Sequence, residues 1–301
     1  MSIGAVCLWE SYRVWILEQL PEYGKIVKLY LDERREGVPC TCGVPIFAGE
    51  VFKVDEKAIL EIGFTHIVFD HFTHVLDDLT DETVKNQPEM LHLSHSLLAL
   101  GLERTALLPG GHHVREYLQD ALSGERYLWR HHGEIIAYTD EDFAQTARRG
   151  ALAKTALALC AGHADADKHD PILHQVERAV DSLSVALQLT DDLVDWKEDL
   201  QNRIFTYPLT ELAISGANLG DKQSNVENLL ITSKVASQTL ELIQRLTTKG
   251  TDMLEGVCAT EWQNYLVRFK STLISWEERI THYNPHVPPL CLTSEKHTMM
   301  H

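Results

Sequence analysis

The chain has 301 residues, 44% of them apolar, with a formal net charge of −17. That is enough apolar material to bury a sizeable core, in one or two domains. The acidic balance argues against nucleic acid and anionic membrane surfaces as partners, but leaves room for an anionic substrate gripped through metal ions.

The opening MSIGAVCLWESYRVWILEQL has no basic leader and carries Glu10 and Glu18 among its apolar residues. It reads as an amphipathic helix and not as a signal peptide. No stretch reaches the run of about 18 apolar residues that a membrane span needs. Residues 5–35 are helical in pattern, with a break near Pro21, and 38–49 are a loop or a helix start. Cys40 and Cys42 form a lone C-x-C with no second pair at zinc spacing, and Cys160 lies in an apolar helix. Reduced thiols in a cytoplasmic protein are the expectation.

A long helix is predicted over 55–85, with Ile59, Leu60, Ile62, Ile67, Phe69 and Leu76 apolar. A polar stripe of His66, Asp70, Thr73, Asp77 and Asp81 runs along it at helical spacing. Such a stripe faces either solvent or a cavity, and we read it as cavity lining. Further helices are predicted at 90–108, 112–134, 140–162, 170–200, 225–248 and 257–282, with breaks at Pro109-Gly110-Gly111 and around 216–221. His112-His113 and His131-His132 lack the i, i+4 spacing of a helical metal site and read as surface or polar-network histidines. From Asn284 the chain holds three prolines and reads as a flexible tail. Strand-like alternation is nearly absent. The expected fold is all-α: a single helical bundle over 1–283 around a central apolar cavity, with 284–301 as the tail.

Two segments carry chemistry. In LSVALQLTDDLVDWKEDLQNRIFTYP (183–208), Asp191, Asp192 and Asp195 follow an apolar run. Leu187 stands one turn before Asp191, so the acids are expected to continue a buried stripe. In FDHFTHVLDDLTDE (69–82), Asp77, Asp78 and Asp81 repeat the spacing. Carboxylates crowded at the end of a buried stripe repel one another and lose hydration, unless cations neutralise them. Mg²⁺ suits such all-oxygen sets and is commonly shared with substrate phosphates. The six acids converging on one cavity would hold about three Mg²⁺ ions and grip a diphosphate.

These residues resemble the aspartate-rich regions of the trans-isoprenyl diphosphate synthases and their terpene-cyclase relatives, the class I isoprenoid (terpenoid) synthases. The family pattern F-Q-x-x-D-D-x-x-D, then lysine, aspartate and K-x-T-x-P, is matched here by Gln188, Asp191, Asp192, Asp195, Lys197, Asp199, Arg203, Thr206 and Pro208. Arg203 stands where lysine is usual. Lys154-Thr155 in RGALAKTALALCAG is similar to the K-T of the family's central helix, and Arg148-Arg149 just before it extends the basic run. The resemblance spans roughly residues 55–210. It implies that the six aspartates hold Mg²⁺, and that Lys154, Thr155, Gln188, Lys197 and Arg203 grip the diphosphate of an allylic isoprenyl diphosphate. Phe72 would line the tail cavity, with Phe69 a further wall candidate. A homodimer is implied by the family alone.

Chain-elongating members also hold isopentenyl diphosphate, with G-G-K-R-x-R-P before the first motif and R-R-G after it. Neither is present; the nearest basic residues are Lys25, Lys28, Arg34 and Arg35, and ETVKNQPEM follows Asp81. The expectation is therefore a terpene synthase (cyclase) that ionises one allylic diphosphate and releases diphosphate plus a terpene. The alternatives are a trans-isoprenyl diphosphate synthase, a non-catalytic partner subunit of such an enzyme, and a helical protein with accidental acid pairs.

Overall fold

The segment TALALCAGH is apolar on every side, and a helix of that kind is stable only when enclosed. In the computed structural model it is the α8 helix, Thr155–His163, with Thr155 to Ala161 all buried. The structure describes residues 4–33, 42–81, 86–166, 169–220 and 222–257, with part of 262–278. Arg34, Arg35, Cys40 and the tail 284–301 lie outside the described residues, as do the side chains of Asp77 and Asp81.

Around α8 the helices run in chain order: α1 (Ala5–Gln19), α2 (Gly24–Glu33), α3 (Gly43–Phe52), α4 (Glu56–Asp81), α5 (Gln87–Leu107), α6 (Gly111–Leu128) and α7 (Asp140–Arg149). After α8 come α9 (Pro171–Val194), α10 (Trp196–Asn202), α11 (Tyr207–Ile214), α12 (Gln223–Thr232) and α13 (Val235–Met253). No strand occurs among the described residues, and one isolated bridge joins His132 to Ile204. No helix among them is long and apolar enough to cross a membrane. The all-α fold is as expected.

α3, α4, α6 and α9 pack around α8, while α9 lies along α13 and α4 along α5. Close approach is made possible by glycine. A Cβ on Gly162 of α8 would sit 2.4 Å from the Gly110 Cα, and Gly110 itself has φ of +75°. His66 of α4 is buried and shares a 2.9 Å hydrogen bond with Thr155 Oγ1, so this member of the polar stripe belongs to the core.

Two predicted helices are broken in the structure. The stretch 140–162 is α7, a 3-10 segment over Gly150–Lys154, and then α8. The stretch 170–200 divides at Asp195 into α9 and α10. α9 starts where Asp170 accepts hydrogen bonds from the Ile172 and Leu173 amides, with Pro171 in the first turn. The 38–49 stretch is resolved in favour of a helix start at Gly43.

Candidate active site

α9 carries its acids to the floor of a cavity of about 260 Å³. Asp191, Asp192, Asp195, Glu198 and Asp199 line it from α9 and α10, and Asp78 enters from the end of α4. Asp78 of the first aspartate motif and all three acids of the second thus reach a common space, although the motifs are more than a hundred residues apart in sequence.

The buried stripe on α9 differs from the predicted one. Leu187 is 36% exposed, whereas Val185, Leu189 and Asp192 are buried. Asp192 is the buried acid of the motif, enclosed by Gln188 and the Tyr207 backbone amide. Gln188 donates to Asp192 Oδ1 at 3.0 Å, and Arg149 Nη1 donates to Gln188 Oε1 at 3.2 Å. Arg149 also pairs with Glu125. The sequence Arg149–Gln188–Asp192 is a relay across the cavity wall, from a fixed positive charge to the most buried carboxylate.

Burial pushes the Asp192 carboxyl up to about 7, assisted by Asp191 and opposed by Gln188. Asp199 is pushed up to about 8 by burial and then by repulsion from Asp192, Asp195 and Asp191. Thr206 donates to Asp199 Oδ2 at 3.3 Å. Seven carboxylates line the cavity, Asp78, Glu125, Asp191, Asp192, Asp195, Glu198 and Asp199, against the single guanidinium of Arg149. This excess is what divalent cations would relieve. Among the described residues no three acidic, histidine or cysteine side chains converge on one ion.

A second chamber of about 280 Å³ adjoins the first, and Glu125, Thr146, Arg149 and Gln188 line both. Its inner wall is largely apolar: Phe72, Leu76, Leu118, Ala121, Leu122, Leu152 and Ala153, with Asp70 and Thr73 beside them. Phe72 is thus part of this chamber's wall. Phe69 does not line either chamber; it is fully buried, and a Cβ on Gly101 of α5 would meet its ring at 2.8 Å.

The other expected contacts divide. Gln188 lines both chambers, but Lys154, Thr155, Lys197 and Arg203 line neither. The Lys154 ammonium pairs with Asp181 at 2.5 Å, and the Thr155 hydroxyl donates to Leu152 O at 2.6 Å in the core. Lys197 lies over the Trp196 ring and 3.7 Å from Glu227. Arg203 has φ of +58° at the end of α10, and its Nη2 donates to Gly133 O at 3.3 Å. The family resemblance implied substrate contact for all four, but in this structure carboxylates pair with Lys154 and Lys197, and a carbonyl accepts from Arg203.

Sequence reasoning missed the roof. The 3-10 turn Trp129–His131 and the following residues pair with 203–205: Gly133 N donates to Arg203 O at 2.7 Å and Phe205 N to His131 O at 3.0 Å. This brings His131, His132 and Tyr138 onto the cavity wall with Phe143. Tyr138, Phe143 and Tyr207 form an aromatic cluster with centroids 5.4–5.9 Å apart. The sequence signal for this wall was weak: the adjacent histidines read as surface or polar-network residues, and His131 is of the second kind, bonded to Asp142.

No family model matches the sequence, and no curated protein matches it. Solved structures do match. Heptaprenyl diphosphate synthase from Staphylococcus aureus superposes with a TM-score of 0.70 at 14% identity, covering 94% of this chain and 100% of that one. Geranylgeranyl pyrophosphate synthetase from the archaeon Geoglobus acetivorans gives a TM-score of 0.68 at 16% identity, covering 88% and 97%. The chain has the all-α class I fold of the trans-isoprenyl diphosphate synthases.

Proposed function

We propose that the protein is an Mg²⁺-dependent enzyme that ionises an allylic isoprenyl diphosphate. The observation that carries this reading is the acid cluster of α9 and α10 facing Asp78 across a cavity, with an apolar chamber directly behind it. Asp77, Asp78, Asp81, Asp191, Asp192 and Asp195 are the proposed holders of Mg²⁺. Bound Mg²⁺ would supply Lewis-acid stabilisation of the charge that develops on the leaving diphosphate oxygen. Arg149 and Gln188, at the junction of the chambers, orient the substrate by donating to that diphosphate. Phe72, Leu76, Leu118 and Leu152 exclude water from the allylic cation, and the faces of Tyr138 and Phe143 favour positive charge.

Two fates of the cation have support. Chain elongation with isopentenyl diphosphate is favoured by the comparisons, because both named structures are prenyl diphosphate synthases and match nearly end to end. This places elongation ahead of the cyclase expectation. Cyclisation keeps one specific observation, the missing G-G-K-R-x-R-P and R-R-G acceptor motifs; Lys25 and Lys28 are exposed on α2 and line neither chamber. A non-catalytic partner subunit is disfavoured by the intact acids. Homodimerisation rests on the resemblance alone, and sedimentation tests it. Incubation with Mg²⁺ and each allylic diphosphate, with and without labelled isopentenyl diphosphate, separates the two fates. A longer linear diphosphate carrying the label marks elongation; a label-free hydrocarbon or alcohol marks cyclisation.

A further inference from the structure

His131 is 2% exposed, yet its ring forms part of the wall of the acid-lined cavity. Its two nitrogens are in different situations. Nε2 lies 3.0 Å from Asp142 Oδ1, while Nδ1 is buried with no hydrogen-bond partner among the described residues. A buried polar nitrogen without a partner carries a desolvation penalty, and in a cavity wall that penalty is relieved by a ligand.

The other side of the ring is built to hold positive charge. Asp142 is buried, and its carboxyl is held below the usual carboxylate range: burial acts to raise it, but hydrogen bonds from Thr139 and His131 and the Arg130 charge outweigh that. The Thr139 N–H and hydroxyl donate to Asp142 Oδ2 at 2.7 and 2.6 Å, and Arg130 Nη2 donates to Oδ1 at 2.6 Å. An ionised Asp142 accepts from Nε2–H, which fixes the ring and leaves Nδ1 as the nitrogen without a partner in a ring that lines the cavity. The imidazole also stacks on Tyr138, with centroids 4.3 Å apart, which holds the ring in place. The pairing of 131–133 with 203–205 fixes this turn beside the second aspartate motif.

We propose that His131 is a diphosphate-binding residue that takes up a proton from solvent as the diphosphate binds, so that Nδ1–H donates to a substrate phosphate oxygen while Nε2–H donates to Asp142 behind it. The inference rests on the reading of the cavity as a diphosphate site. It supplies a positive contact where Lys154, Lys197 and Arg203 do not reach.

The test is binding of inorganic pyrophosphate with Mg²⁺ to the full chain, measured by calorimetry, alongside melting temperature. His131→Gln keeps a group at the Nε2 position for Asp142 but lacks one at the Nδ1 position. His131→Asn does the reverse. His131→Gln is expected to weaken pyrophosphate binding roughly tenfold or more with little change in melting temperature, the scale of one charge-assisted hydrogen bond. His131→Asn is expected to recover part of that affinity even if it melts lower. Unchanged affinity in a folded His131→Gln protein overturns the proposal and leaves the diphosphate reading standing. If the wild type itself fails to bind pyrophosphate with Mg²⁺, the proposal and the reading beneath it both fall. Should His131→Gln not fold, equal affinity of wild type and His131→Asn at lowered stability supports the Nδ1 contact, and a His131→Phe protein binding as tightly as wild type overturns it.

Discussion

Asp192 and Asp199 are where the unbound protein is under most electrostatic tension. Their carboxyls stand at about 7 and about 8 in the fold, against 3.8 for an ordinary aspartate. The folded chain therefore holds protons that the unfolded chain has already released, and stability falls as pH rises from about 4 to about 8. For this coupled pair the loss is on the order of a few kcal/mol. Melting temperature in chelator should decline across that window, Asp192→Asn should flatten the decline, and Mg²⁺ with pyrophosphate should restore stability at the alkaline end. A flat profile in the wild type would contradict the buried charge cluster. The basic residues make a second contrast. Arg149→Met is expected to cut turnover about tenfold or more, since it removes a charge-assisted donor at the junction of the chambers. Lys154→Met is expected to act on folding, because it strands the half-buried Asp181 beside Glu177 and Asp120; we expect about 1 kcal/mol of stability lost and kinetics nearly unchanged. Kinetics and thermal melts on the two variants check both statements, and the opposite pattern would move the diphosphate contact to Lys154.

The helices were legible in the sequence where periodicity was long, as in α4 and α9. Their breaks were not. Gly150–Lys154 and Asp195 carry no proline to mark them; at the first, Gly150 lies so close to α9 that a Cβ there would meet Ser184 Oγ at 2.4 Å, a contact between segments distant in sequence. Leu187 misled for a related reason. Its spacing from Asp191 is right for a shared face, but which face α9 turns inward is decided by α13, a contact that sequence periodicity does not reveal. Phe72 on α4 offers the element-scale prediction. It is buried at the wall of the inner chamber, two residues beyond Asp70. Phe72→Ala should deepen the chamber and shift products toward longer or differently folded chains, at a stability cost of about 3 kcal/mol. Product analysis by mass reads the shift; an unchanged product set with lowered activity would mark Phe72 as purely structural.

At the scale of the molecule, the all-α fold was legible in the sequence, and the structure brings Asp78 of the first aspartate motif to one cavity with Asp191, Asp192 and Asp195 of the second. The sequence could not show the roof, because His131, His132 and Tyr138 line the cavity beside the pairing of 131–133 with 203–205, a contact between distant segments. The central claim is that this cavity ionises an allylic isoprenyl diphosphate with Mg²⁺. The most direct test is release of inorganic diphosphate from geranyl, farnesyl and geranylgeranyl diphosphate by the purified chain, with Mg²⁺ or chelator and with or without isopentenyl diphosphate. The account predicts release from at least one substrate that requires Mg²⁺ and falls by orders of magnitude in Asp191→Asn. Release that persists in chelator, or none from any substrate with Mg²⁺ and isopentenyl diphosphate present, would contradict it.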